Sequence, residues 1–192
     1  MKSTKEAQFA GLVGMGAATL FFISLIIEYH YGLFPPAKGP LADANQIGFI
    51  IAMCGLLFLL LQMRRERVGG DSLWARLSQT LFPAGWAAII VGSVINLITA
   101  SDNSPLLAIG GLTAMLFSLL SGIAIARAGR WSGWGRFAPL LLGITYALLV
   151  VRVFAGLGEP TFLTETWFMV CWFLVGLAQF VAGRTVVSAQ AV

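Results

Sequence analysis

The chain has 192 residues, of which 58% are apolar and only 10% are charged, and its mean hydropathy is +0.88. These values exclude an ordinary water-soluble domain and are typical of a multi-pass membrane protein. The net charge of +4 comes from basic residues that flank apolar runs. Anionic lipid headgroups attract positive charge in that position. We therefore expect the lipid bilayer to be a partner of this chain, and we do not expect nucleic acid to be one.

Six runs are long and apolar enough to cross a hydrocarbon core of about 30 Å, which takes roughly 20 residues of helix. The first run is longer than the roughly 7–15 residues of a signal-peptide core, so we expect a retained helix. The fifth run contains Arg152 and counts as a span because the loop charges alternate only if it crosses the membrane. We predict an all-α integral membrane protein of one domain, a compact six-helix bundle with spans at about 8–29, 46–63, 79–100, 105–126, 137–157 and 165–183.

The basic residues indicate which side of the membrane each loop faces. Ten of the twelve Lys and Arg residues fall near the chain ends and in alternate loops, which leaves Lys38 and Arg152 on the other side. Basic residues near span ends are retained in the cytoplasm, so both termini are predicted to be cytoplasmic. The same asymmetry and the retained first helix favour the bacterial inner membrane.

Two basic loops suggest an internal repeat. The segments 74–77 and 134–137 share a Trp-small-Arg-apolar pattern sixty positions apart, and Trp beside Arg is typical of anchoring at the membrane interface. The chain is therefore predicted to consist of three hairpins of about 60 residues in the same orientation. Arginines that follow the even-numbered spans have a similar spacing: Arg64, Arg127 and Arg184.

Small and polar residues inside the spans indicate how the helices pack. A ladder of small residues on the fourth span predicts close approach of a neighbouring helix. On the third span, Asn96 is predicted either to hydrogen-bond a neighbouring helix, which is the commoner use of a membrane amide, or to contact a ligand. The ladder consists of Ala114, Ser118, Gly122 and Ala126.

A polar cluster is expected at the outer ends of the spans. Arg152 lies about 24 Å and Glu28 about 31 Å along their helices, at 1.5 Å per residue, so the two side chains are at similar levels and could pair. In one interpretation they form a ligand site with His30, Asn96 and Glu165, where Arg152 holds an anionic group and an acid or His30 handles a proton. In the favoured interpretation, acids simply occupy the outer loops and Arg152 pairs with one of them. The acids on that side are Glu28, Asp43, Asp102, Glu159 and Glu165.

Several chemistries have no support in the sequence. A single histidine cannot provide bis-His haem ligation, and no phosphate-binding, serine-hydrolase or zinc-protease motif is present. Cys54 and Cys171 each fall inside a span without C-x-x-C spacing, so they are predicted to be packing residues. We expect no cofactor and no metal.

Three classes of function are open. The leading one is a non-catalytic membrane scaffold or accessory subunit, which would have a membrane-protein partner or form a homo-oligomer. The second is binding or transport of a lipophilic or weakly anionic small molecule through the outer polar pocket. The third is a small intramembrane enzyme that acts on a lipid or isoprenoid-like substrate, with a carboxylate or His30 as acid or base.

Overall fold

The computed structural model describes residues 2–33, 38–99, 104–158 and 160–189, with side chains from residue 5 to residue 183. These residues form helices and no strands, and six helices are long and apolar enough to span a membrane. The prediction of an all-α multi-pass membrane protein is therefore confirmed. The helices are α1 (Lys2–Tyr31), α2 (Pro40–Arg65), α3 (Leu73–Thr99), α4 (Pro105–Ala128), α5 (Ala138–Phe154), which follows a 3-10 turn at Gly133–Phe137, and α6 (Phe162–Ala189).

Proline and glycine mark several of the helix ends. Pro40 and Pro105 stand in the first turn of α2 and α4, where a missing N–H costs no helical hydrogen bond. Gly129 caps the carboxyl end of α4 with a φ of 62°, a left-handed conformation that glycine adopts without strain. Gly156, with a φ of 68°, follows α5, so this helix ends at Phe154 and not at the predicted 157.

The helices form a closed ring in chain order. Each helix packs on the next one along the chain, and α6 packs back on α1. Because the connections are short, neighbouring helices run antiparallel, and α1 begins at the same end of the bundle at which α6 ends. We call this the arginine end, after Arg64, Arg65, Arg67, Arg76, Arg127, Arg130 and Arg136, and the other the opposite end.

Glycines let the backbones of neighbouring helices touch. A methyl group added at Gly11 of α1 would lie 2.5 Å from the Phe180 backbone nitrogen of α6. One added at Gly122 of α4 would lie 2.5 Å from the Cα of Leu140 in α5. Ala114, from the same small-residue ladder as Gly122, packs instead on α3 at Gly85. The ladder therefore serves two neighbouring helices.

The arginine end is held by ion pairs around one acid. The Asp71 carboxylate lies 2.7 Å from the Arg130 guanidinium and 3.0 Å from that of Arg67. The hydrogen bond from Arg67, reinforced by the charge of Arg130, holds the pKa of Asp71 below its usual range. Trp134, predicted to anchor at the membrane interface, is exposed, whereas Trp131 is buried in the core. Trp131 therefore packs inside the bundle and not at its surface.

Candidate functional site

A cavity of about 440 Å³ lies in the half of the bundle nearer the opposite end. Residues of α1, α2, α4, α5 and α6 line it, and most of their side chains are apolar. The polar side chains in this lining are those of Glu28, Tyr146 and Glu165. The cavity therefore combines an apolar wall with two carboxylates contributed by two different helices.

An aromatic cluster forms the floor of this cavity. Tyr146 of α5 and Phe168 of α6 belong to both the lining and the cluster, with their ring centroids 5.1 Å apart. Trp172 stands one turn beyond Phe168, and its ring centroid lies 5.0 Å from that of Trp86 and 6.0 Å from that of Phe82. Packed aromatic rings of this size fill the centre of the ring of helices. They close the cavity toward the arginine end.

Contacts between α1 and the start of α6 position the two carboxylates. The Tyr29 hydroxyl donates a hydrogen bond of 3.0 Å to the Pro160 carbonyl and also interacts with the Glu165 carboxylate. The Tyr29 and Phe162 rings pack edge to face with centroids 5.2 Å apart. Glu28 precedes Tyr29 and is half-buried, as is Glu165. These contacts place both acids at the edge of one cavity.

Arg152 does not line the cavity. It stands seven residues beyond Thr145, on the same face of α5, and the Thr145 hydroxyl lies 3.5 Å from the Cys171 sulfur of α6. No carboxylate in the described ranges lies within 4.0 Å of its guanidinium, so Glu28 and Arg152 do not pair. Its Nε is buried without a hydrogen-bond partner among those residues.

The other predicted site residues also lie apart from the cavity. His30 is exposed and packs against the Tyr31 ring at 4.7 Å. Asn96 stands one turn beyond Gly92, which packs on Leu107 of α4, and the buried Asn96 Oδ1 has no partner in the part of the chain described. Of the five candidates, Glu28 and Glu165 alone are brought together. Asp102 and Glu159, predicted on the same side, lie outside the described residues.

A second polar group, at the arginine end, was not predicted. Glu66, the residue that follows α2, accepts hydrogen bonds of 2.8 Å from the side-chain amides of Gln62 of α2 and Gln179 of α6, which joins the two helices. Both glutamines are buried, and so is Gln79 of α3. The four-residue spacing of Gln62 and Glu66 was the available signal in the sequence, since such residues face each other on a helix. The partner Gln179 is more than 100 residues away and gives no such signal.

No protein-family model, curated protein sequence or solved structure matches this chain. Within the described ranges, no cluster of three or more His, Cys, Asp or Glu side chains is placed to hold a metal ion. The chemistry of the cavity is thus that of its walls and two acids. Apolar walls take up a hydrocarbon body, while carboxylates accept hydrogen bonds and attract positive charge.

Proposed function

We propose that this protein binds a lipophilic small molecule whose head group carries a protonated amine or another strong hydrogen-bond donor. The observation that supports the proposal is the apolar cavity with Glu28 and Glu165 in its wall. Its volume of about 440 Å³ falls within the roughly 300–1,000 Å³ of small-molecule sites. The hydrocarbon part would pack on the aromatic floor, and the donor would bond to the acids.

Charge favours a donor over the weakly anionic ligand considered from the sequence. The anionic alternative depends on Arg152, which is not in the lining. Among the described residues, no Lys, Arg or His lines the cavity, whereas two carboxylates do. An anionic head would therefore be repelled, and a cationic head would gain charge-assisted hydrogen bonds.

The other two classes of function stay predictions. A scaffold or accessory subunit would use the outer surface of the bundle and leave the cavity without a role. An intramembrane enzyme acting on a lipid would use the same carboxylates as acid or base. Binding is the step that the cavity supports directly, and both binding and catalysis would begin with it.

A ligand series with one chain length and three head groups tests the proposal. The purified protein in nanodiscs is titrated with mono-dansylated 1,8-diaminooctane, which keeps one free amine, and the probe is displaced by octylamine, octanol or octanoate. Hydrogen bonds to charged groups contribute about 1.5–3 kcal/mol, so octylamine should bind roughly 10- to 100-fold more tightly than octanol. Octanoate should bind most weakly. Equal displacement by all three would contradict the proposal.

Single substitutions connect this preference to the two acids. Glu28→Gln and Glu165→Gln should each reduce the preference for octylamine over octanol, because a neutral amide attracts an ammonium group less than a carboxylate does. Glu6→Gln is the matched control, since Glu6 pairs with Arg65 at the arginine end. An unchanged preference in both cavity variants would contradict the assignment of these residues.

We also propose that the arginine end faces the cytoplasm, in a bacterial inner membrane, with both termini inside. The excess of arginine at one end supports this orientation. In a background without Cys54 and Cys171, Ser132→Cys tests the arginine end and Lys38→Cys the opposite end. A membrane-impermeant maleimide added to spheroplasts should label Lys38→Cys and spare Ser132→Cys. The reverse pattern would overturn the orientation.

The repeat of three hairpins is likewise a proposal. It is supported by the common direction of the hairpins α1–α2, α3–α4 and α5–α6, each of which starts and ends at the arginine end. The two matching segments are not in identical local structure, since 74–77 lies in the first turn of α3 and 134–137 in the 3-10 turn before α5.

A further inference from the structure

The packing of α4 against α5 changes along its length. Near the arginine end the two backbones touch, since a methyl group at Gly122 would lie 2.5 Å from the Leu140 Cα, and one at Gly143 would lie 2.6 Å from the Leu119 Cα. Three turns along α4, a methyl group at Gly111 would meet only the Tyr146 hydroxyl, at 3.9 Å. The helices therefore separate toward the opposite end and leave a wedge-shaped gap.

Residues on both sides of this gap line the cavity and are exposed. Four of its lining residues are also exposed: Ala108 and Leu112 of α4, the latter at 42%, and Val153 and Phe154 of α5 at 44% and 72%. Exposed lining residues on both helices indicate that the wall of the cavity is thin along this gap. Leu112 lies on one side of the gap, and Val153 and Phe154 lie on the other.

Three other helix pairs are joined by contacts near this level. Phe21 of α1 packs on Phe49 of α2 with centroids 4.3 Å apart. Tyr29 of α1 bonds to Pro160 before α6. Helices α3 and α4 are in close contact as far as Leu107 of α4, because a methyl group added at Gly92 of α3 would lie 3.1 Å from Leu107. The gap between α4 and α5 thus differs from these three seams.

We propose that the ligand enters and leaves the cavity sideways, from the hydrocarbon phase of the bilayer, through the gap between α4 and α5. This inference rests on the proposed binding function and adds that the ligand is a membrane-dissolved amphiphile. The hydrocarbon part of such a ligand, already dissolved in lipid, would exchange one apolar environment for another as it passes Leu112 and Phe154. Its donor group would enter with it and reach Glu28 and Glu165 inside.

The test measures exchange rates in nanodiscs by stopped-flow fluorescence of mono-dansylated 1,8-diaminooctane. Leu112→Trp should narrow the gap and slow association and dissociation alike by about tenfold, equivalent to roughly 1.4 kcal/mol of barrier. Because Leu112 also lines the cavity, the dissociation constant is not the readout; the mark of an entry route is that both rates fall. Phe154→Ala should widen the gap and accelerate both rates.

Leu116→Trp is the matched control. Leu116 lies one turn from Leu112 on α4, is 49% exposed, and is not in the cavity lining, so this variant should exchange the probe at the parent rate. Parent-like rates in both Leu112→Trp and Phe154→Ala would overturn the lateral route. So would a Leu112→Trp variant that changes only the dissociation rate, since Leu112 would then act on the bound ligand and not on its entry. A parent that does not bind the probe would instead refute the proposed function.

Discussion

The close contact between α4 and α5 predicts a large effect from one added methyl group. In Gly122→Ala the new carbon would lie 2.5 Å from the Cα of Leu140 and 2.7 Å from the backbone oxygen of Pro139. Carbon atoms in contact are about 3.5–4.0 Å apart, so the helices must separate by roughly 1 Å. Both neighbours are backbone atoms and cannot rotate away. We expect a loss of about 1–3 kcal/mol in the free energy of unfolding, the usual cost of overpacking.

Gly111→Ala, on the same helix, provides the matched control. Its added carbon would meet only the Tyr146 hydroxyl at 3.9 Å, which is ordinary contact and requires no displacement. Replacing a helical glycine by alanine stabilises a helix by roughly 0.5–1 kcal/mol, so this variant should match or exceed the parent in stability. The two variants differ from the parent by the same single methyl group and should shift stability in opposite directions.

Both variants would be unfolded with sodium dodecyl sulfate in mixed micelles and followed by far-ultraviolet circular dichroism. The expected separation of their free energies of unfolding is about 1.5–4 kcal/mol. Equal stability of the two variants would show that α4 and α5 do not approach as closely as described. It would also remove the contrast between the closed and open parts of this seam, on which the lateral route depends.

Three further predictions concern other parts of the bundle. Glu66→Leu leaves two buried glutamine amides without their acceptor and should lower the free energy of unfolding by about 1–3 kcal/mol per amide. Glu6→Leu is the control, because it removes an exposed ion pair and should change the free energy of unfolding by at most about 1 kcal/mol. Unfolding of both variants in mixed micelles compares the two effects. The folded-state pKa of Asp71 is lowered, so its ion pairs stabilise the fold at pH values above the unfolded-state pKa. That contribution is lost as the pH falls through the folded-state pKa. Unfolding titrations should therefore find Asp71→Asn less stable than the parent at neutral pH and equal to it in strong acid. Trp86→Phe removes the indole hydrogen bond of 3.1 Å to a backbone carbonyl of α2 and should cost about 0.5–1.5 kcal/mol by the same unfolding assay.

The membrane-spanning helices were predictable because their signals are local. Hydropathy over a window of about 20 residues identifies a span wherever its neighbours lie. Helix ends likewise depend on nearby residues, such as Pro105 and Gly129 at the two ends of α4. Each signal therefore depends on one stretch of sequence and on the thickness of the bilayer.

The site was predictable only in part, because the sequence indicates depth along a helix and not direction around the bundle. Counting 1.5 Å per residue placed Glu28 and Arg152 at similar levels. It could not show that the face of α5 with Thr145 and Arg152 meets Cys171 of α6 while Tyr146 faces the cavity. Glu28 and Glu165 line one cavity because α1 and α6 are neighbours, a long-range fact that one sequence without related sequences does not contain.

The closure of the ring by α1 and α6 has a consequence for biosynthesis. A methyl group at Gly11 of α1 would lie 2.7 Å from the Gly176 carbonyl oxygen of α6, so α1 packs closely on a helix that is translated well after it. The 130 residues between Tyr31 and Phe162 take about 7–26 s to translate at roughly 5–20 residues per second. For that interval the newly inserted α1 has no intramolecular neighbour on its glycine face, and two nascent chains close together could exchange their last helices.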